Sequence, residues 1–239
     1  MWLEKTIQEI KKKKELKYID NEFVKSLLLE YIKLNKIKLE GDFKKLQRTS
    51  QYKKMFKEIR RQCRTVYGSF QDVKDSRNRE VYERIFNEVK GNSILDIGCG
   101  EAPLDYLSLH KEKTYYLTDI DTSTIAKIQK YIKKNKIKGK AFTYNIIAED
   151  IKLLPKADTV LLLKVLEGFE AIKRDITFTI LKELQAKKIV ISFAKIALGK
   201  NKKIKKSGRQ WLRKMLNKLN YKYTIGDIGK EIFFFIDKE

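Results

Sequence analysis

Ser93-Ile-Leu-Asp-Ile-Gly-Cys-Gly-Glu-Ala-Pro-Leu104 is the stretch that decides the fold of this chain. Ser93–Ile97 reads as a short buried strand, and it breaks at once into Gly98-Cys99-Gly100. An apolar run of that length bounded by glycines is the mark of a strand inside a parallel sheet. Without Cβ atoms, the glycines let the chain turn sharply and bring its backbone against a ligand. In an open parallel sheet, ligands bind beyond the carboxyl ends of the strands. The turn also departs from the dinucleotide pattern Gly-x-Gly-x-x-Gly, because Pro103 takes the third glycine's place and no pyrophosphate cradle is expected.

Working outward, the next strand and its exit read Tyr115-Tyr-Leu-Thr-Asp-Ile-Asp121. An acid at that point, Asp119 followed by Ile120, accepts hydrogen bonds from ribose hydroxyls in nucleotide-binding α/β folds. The third strand runs into Asn145-Ile146. The bland alternative is that Asp119 caps the following helix and Asn145 is an ordinary loop residue. Three such coincidences at successive strand ends weigh against it. Cys99 reads as a small packing residue of the turn.

From residue 92 onward, strands alternate with helices. Ser93–Ile97, Thr114–Leu117, Ala141–Ile146, Thr159–Leu163 and Lys188–Phe193 are the expected strands; Pro103–Leu109, Thr122–Lys133 and Glu167–Leu184 are the expected helices. That alternation argues for a parallel sheet covered on both faces. Helix Gln210–Leu219 then precedes Lys222–Ile225 and Glu231–Ile236, joined by the short turn Gly226–Gly229. Only antiparallel strands can be joined so briefly. Residues 1–88 differ: Phe23, Leu27, Leu28 and Ile32, and later Tyr52, Phe56 and Ile59, recur at helical spacing. The expectation is an α/β domain over 89–239, with a mostly parallel seven-stranded sheet and an antiparallel C-terminal strand, preceded by a helical basic domain over 1–88.

The charge is lopsided: 54 Lys+Arg against 31 Asp+Glu, a net of +23. A surface that repels itself so strongly implies a polyanionic partner, and nucleic acid leads because Lys and Arg release counterions from each phosphate they neutralise. A compositional bias of the source is the bland alternative, but it tends to raise Lys and Glu together. Arg60, Arg61 and Arg64 cluster on one helix, as an RNA contact or a solvated face. Lys200-Asn-Lys-Lys-Ile-Lys-Lys-Ser-Gly-Arg209, after the fifth strand, offers Lys200, Lys202, Lys203, Lys205, Lys206 and Arg209 to phosphates. Cys63 and Cys99 form no disulfide or metal spacing, and the single His110 cannot build a metal site, so no metal is expected. The first residues lack an uncharged signal-peptide core, and no stretch is long and apolar enough for a membrane span; a cytoplasmic chain without a membrane partner is expected.

The glycine turn resembles the first motif of class I S-adenosylmethionine-dependent methyltransferases, whose Rossmann-like sheet ends in an antiparallel strand. More closely, Leu95-Asp-Ile-Gly-Cys-Gly-Glu-Ala-Pro-Leu104 is similar to the L-D-I-A-C-G-x-N-P-L of the aminoglycoside-resistance ribosomal RNA methyltransferases. Leu161-Leu-Leu-Lys-Val-Leu-Glu-Gly-Phe-Glu170 resembles their L-I-F-K-L-L-P-x-L-E. Val190–Gly199 resembles V-S-F-P-T-R/K-S-L-G, and Ile228-Gly-Lys-Glu-Ile232 resembles I-G-x-E-L. Two positions depart from the family pattern: Ala194 replaces the proline, and the family's basic residue falls on Ile196, one place after Lys195.

The resemblance implies S-adenosyl-L-methionine as cofactor, held by Asp96, Gly98, Gly100, Pro103, Asp119, Ile120, Asn145 and Ile146. Asn145 would face the adenine amine, and Lys74 and Arg77 are candidates for the family arginine on the cofactor carboxylate. Lys164, Glu170 and Lys195 would stand at the active-site rim, although Glu170 also suits a helix start. The implied partner is small-subunit ribosomal RNA, gripped partly by the N-terminal extension, and the implied target is guanine N7.

Target chemistry can be narrowed by what the chain lacks. There is no Asp/Asn-Pro-Pro-Tyr/Phe after the fourth strand for an exocyclic amine, and no cysteine there for pyrimidine C5. A Lys–Asp–Lys–Glu set for a ribose 2′-oxygen is covered in part by Lys164, Lys195 and Glu170 or Glu231, without the Asp. Guanine N7 is already nucleophilic and needs only orientation and electrostatics. The other readings are a small-molecule methyltransferase and a non-catalytic RNA-binding factor that retains the fold.

Overall fold

The computed structural model describes residues 2–39, 41–65, 77–195 and 209–238. Helices α1 (Trp2–Lys11), α2 (Asn21–Leu34), α3 (Phe43–Leu46) and α4 (Ser50–Cys63) come first. Side-chain caps start three of them: Asp20 accepts from Phe23 N, Asp42 from Lys44 N and Lys45 N, and Thr49 from Tyr52 N. Each cap satisfies backbone donors that a first helical turn would leave unpaired. Helix α5 (Arg79–Asn87), capped by Asn78, leads into the sheet.

Seven strands follow: β1 (Ser93–Ile97), β2 (Thr114–Asp119), β3 (Gly139–Thr143), β4 (Thr159–Leu163), β5 (Lys188–Ala194), β6 (Lys222–Ile228) and β7 (Glu231–Asp237). Their order across the sheet is β3-β2-β1-β4-β5-β7-β6. The first five pair in parallel, while β7 runs antiparallel to both β5 and β6. The expected sheet is therefore the one observed. The strand order reverses at β1, so the crevice where such sheets take ligands opens at the end of β1.

Between the strands lie α6 (Pro103–Tyr106), α7 (Thr122–Asn135), α8 (Leu166–Ile172), α9 (Ile176–Glu183) and α10 (Gln210–Lys218). Two expectations are corrected here. The single helix expected over Glu167–Leu184 is two, because Lys173 is extended and Asp175 adopts a left-handed φ of 62°. The third strand ends at Thr143, so Asn145 and Ile146 lie in the loop beyond it.

The two-residue period of the strands sorts the core into two layers. Leu95, Ile97, Val160, Leu162, Ile189 and Ile191 face one side, where they share a single apolar cluster with α1–α4, α9 and α10. Ile94, Tyr115, Leu117, Leu161 and Val190 face the other, against α5 and α7. The sheet thus divides the region 1–88: α1–α4 cover one face and α5 the opposite one. His110 packs on Phe86, with ring centroids 4.5 Å apart. Among the described residues no helix is long and apolar enough to cross a membrane.

Candidate active site

The site is built where β1 and β2 end. Gly98 N and Cys99 N both donate to Thr118 O, at 2.8 and 3.0 Å, which draws the turn back onto β2. Gly98 and Gly100 have φ of 67° and 54°, the left-handed region that glycine enters without strain. They differ in their surroundings. A Cβ on Gly98 would lie 2.8 Å from Val165 Cγ1, whereas one on Gly100 would meet nothing within 4 Å. Gly98 is a packing necessity, and Gly100 faces open space.

Asp119 closes the turn. Its Oδ2 accepts from Gly100 N and its Oδ1 from Asp121 N, both at 2.9 Å. Burial pushes its carboxyl above the usual range, and these backbone donors work against that rise. Ile120 N–H acts on it as well, and a carboxylate with about four acceptor directions keeps capacity for a further hydroxyl donor. Asp121, not Asp119, caps α7 through Thr124 N at 2.7 Å, so the bland alternative for Asp119 does not hold.

Below the turn, Asp96 is buried and accepts from Tyr106 Oη at 2.7 Å. Pro103 opens α6 at a position that needs no N–H. Burial raises the thiols of both Cys99 and Cys63, the latter to about 12, so neither is equipped as a nucleophile. Among the described residues no group of His, Cys, Asp and Glu could hold a metal.

Asn145 is buried but occupied. Its Oδ1 accepts from Ile147 N at 3.1 Å, and its Nδ2 donates to Ser26 Oγ on α2 at 3.2 Å. Ile146 is buried beside it, and Ile120 is partly buried against the same apolar cluster. This edge of the crevice is thereby tied to the N-terminal helices.

On the other side of the crevice lies a buried ion cluster. Arg77 Nη2 donates to Glu231 Oε2 at 2.8 Å, and Ser192 Oγ donates to the same oxygen at 2.6 Å. Lys164 Nζ stands 3.6 Å from Glu231 Oε1. Lys164 also holds a φ of 63° at the exit of β4, a conformation costing on the order of 1 kcal/mol for a residue with a Cβ. Its N–H is secured to Ser192 O at 3.0 Å. Lys195, at the exit of β5, pairs with Asp227.

Several expected residues are placed differently. Glu170 is spent as a cap for α9, accepting from Asp175 N and Thr177 N at 2.9 and 2.8 Å. Arg77 turns to Glu231, so the structure does not leave it as a plain carboxylate clamp; Lys74 lies outside the described residues. Arg209 is corrected from a surface phosphate contact: it is 1% exposed, donates to Ala194 O at 2.8 Å and sits over Phe193. Arg60 is drawn inward as well, donating to Glu9 O at 2.7 Å over the Phe56 ring. Arg61 and Arg64 stay exposed, paired with Glu58 and Glu15. Lys200, Lys202, Lys203, Lys205 and Lys206 lie outside the described residues. Ser192 escaped the sequence reading, since a serine inside a strand carries no signal. Glu231 is legible in the sequence only as one option in the incomplete 2′-oxygen set.

A family model described as ribosomal RNA methyltransferase (FmrO) matches residues 62–219. Among solved structures, the chain is similar to the 16S rRNA methyltransferase RmtF in complex with S-adenosyl-L-homocysteine, at 17% identity and a TM-score of 0.75, covering 99% of this chain and 98% of that one. It is similar to the 16S rRNA methylase RmtB at 13% identity and a TM-score of 0.71, covering 99% and 98%. An rRNA methylase from Escherichia coli matches at 15% identity and a TM-score of 0.66, covering 99% of this chain and 100% of that one. The fold is that of the class I methyltransferases.

Proposed function

The chain belongs to the ribosomal RNA methyltransferase (FmrO) family, and from that membership we propose that it uses S-adenosylmethionine to methylate guanine N7 in small-subunit ribosomal RNA. The family match spans the glycine turn, Asp119, Lys164 and Lys195 together; this observation carries the reading. Bound S-adenosylmethionine supplies an electrophilic methyl group. Asp119 takes the ribose hydroxyls through its remaining acceptor directions, and the open space at Gly100 admits the ligand against bare backbone. The buried cysteines exclude a thiolate route from the chain itself. Small-subunit RNA as partner rests on the solved relatives, two of which are described as acting on 16S rRNA.

N7 is favoured because it asks least of the acceptor side. Glu231 already accepts from Arg77 and Ser192 and faces Lys164, so it is poorly placed to abstract a substrate proton. A nucleophile that needs no deprotonation suits such a site, where fixed charges orient the base and balance the cation formed on it. One observation favours a second reading, the ribose 2′-oxygen. Asp227 stands against Lys195, which supplies an acid that the sequence reading could not find. The helices α1–α4 would grip the RNA.

Transfer of a labelled methyl group, with naked ribosomal RNA and assembled small subunits offered side by side, tests the reading. Label in RNA at a site where alkali opens the modified guanine is the expected result. Label resistant to alkali on a ribose would select the 2′-oxygen. No label on either RNA, despite measured cofactor binding, would overturn both.

A further inference from the structure

Resting on the reading of an RNA substrate, we propose that Lys13, Lys14, Lys17 and Tyr18 form an RNA-contact surface on the rim of the cofactor crevice. The lysines would meet phosphates, and Tyr18 would stack an unpaired base.

The segment is fixed at that rim by its backbone. Asp20 N donates to Ile120 O at 2.9 Å, and Thr122 donates to Tyr18 O through both its N–H, at 3.2 Å, and its Oγ1, at 3.1 Å. Ile19 bridges Asp121. These bonds land immediately beyond Asp119, so the segment borders the ribose end of the crevice. Lys127 of α7 lies close by: its amine is held up chiefly by its bond to Glu101, with smaller contributions from Asp121 and Tyr18.

Tyr18 is held outward. Leu16 and Ile19 on either side of it are fully buried, yet Tyr18 is 44% exposed. Anchoring the chain at Leu16 and Ile19 holds Tyr18 at the surface, which lowers the ordering cost of stacking a base on it. Lys17 Nζ sits 5.2 Å from the ring centroid, joining a cation to a π-face as single-strand binding sites do.

Positive charge also predominates here. Lys13, Lys14 and Lys17 are exposed, and among the described residues none forms an ion pair, although Glu15 lies close enough to Lys13 to feel its charge. The nearby acids are engaged elsewhere: Glu15 with Arg64, Asp20 as the cap of α2, and Glu9 with Lys12. Phosphate is the complement of such a surface. By contrast, Arg60 and Arg209 spend their guanidinium groups on interior carbonyls.

The test uses the full chain carrying Lys13→Glu, Lys14→Glu and Lys17→Glu together, and separately Tyr18→Ala. Affinity for small-subunit ribosomal RNA is measured over a salt series, with S-adenosylhomocysteine affinity as the control for an intact fold. The triple variant should weaken RNA binding and flatten its logarithmic salt slope by about two, at roughly 0.7 per phosphate contact on single strands. Tyr18→Ala should lose about fivefold or more, the low end of base stacking on an aromatic ring, with the slope unchanged. Replacing the three lysines by Gln should reproduce the change in slope without reversing charge. Wild-type slope and affinity in these variants, with S-adenosylhomocysteine binding intact, would overturn the proposal. A wild-type chain that binds no ribosomal RNA would overturn the functional reading itself.

Discussion

The two sides of the crevice are built by different physics. At the ends of β1 and β2, the site is backbone: glycines at positive φ and amides converging on one carboxylate, Asp119. At the ends of β4 and β5, it is side chain: Arg77, Lys164, Ser192 and Glu231, brought together from four separate stretches of sequence. The first side is held by main-chain hydrogen bonds between the ends of two paired strands and needs few side chains to shape it. The second depends on mutual neutralisation of buried charges, so it is costly to disturb and specific about what replaces it.

That contrast is tested most severely at Glu231. Glu231→Ala should cost about 3–5 kcal/mol in chemical denaturation, because it removes the carboxylate that balances the buried Arg77 guanidinium. Glu231→Gln should recover part of the loss; equal stability of wild type and both variants would erase the distinction between the two sides. Next comes the pair of glycines. Gly98→Ala should lose about 2–3 kcal/mol of stability, from the left-handed backbone and the contact with Val165. Gly100→Ala should lose only about 1 kcal/mol, the backbone share, yet weaken cofactor binding as strongly as Gly98→Ala. Calorimetric titration with S-adenosylhomocysteine, run beside thermal melts, separates the two effects.

Much of the first side was legible in the sequence, and little of the second. A strand that breaks into Gly-x-Gly and a following strand that ends in Asp are local patterns, and local patterns survive in one dimension. β1 and β4 have the expected limits for the same reason. The break between α8 and α9 was invisible because its cause is a capping carboxylate, Glu170, that reaches forward to Thr177 N. Arg209 read as one more cation in a basic loop; only the folded chain shows it stacked on Phe193. The Arg77–Glu231 pair joins residues far apart in the chain, with no spacing to betray it.

Asp119→Ala should weaken cofactor binding ten- to hundredfold, the worth of about 1.5–3 kcal/mol for charge-assisted hydrogen bonds, while RNA affinity persists. Acidity gives a gentler probe of the same residue. Because burial raises Asp119 in the free protein and hydroxyl donors favour its charged form, binding should release protons. Cofactor affinity should therefore fall on acidification at a higher pH than an ordinary aspartate would produce, and Asp119→Asn should abolish that pH dependence. The smallest effect belongs to the surface: Arg61→Ala should change stability by less than about 0.5 kcal/mol, since its pair with Glu58 is largely exposed.

The position of β7 bears on how the molecule comes into being. It is the last of the seven strands to be synthesised, yet it lies inside the sheet, between β5 and β6. During translation, β5 has no neighbour on that side and β6 has none at all until Glu231–Asp237 leave the exit tunnel. Glu231 is the first residue of that strand, so the partner of Arg77 and Lys164 arrives with the closing of the sheet. The nascent chain can form its glycine turn early, but its acceptor side is assembled only after the final strand is free.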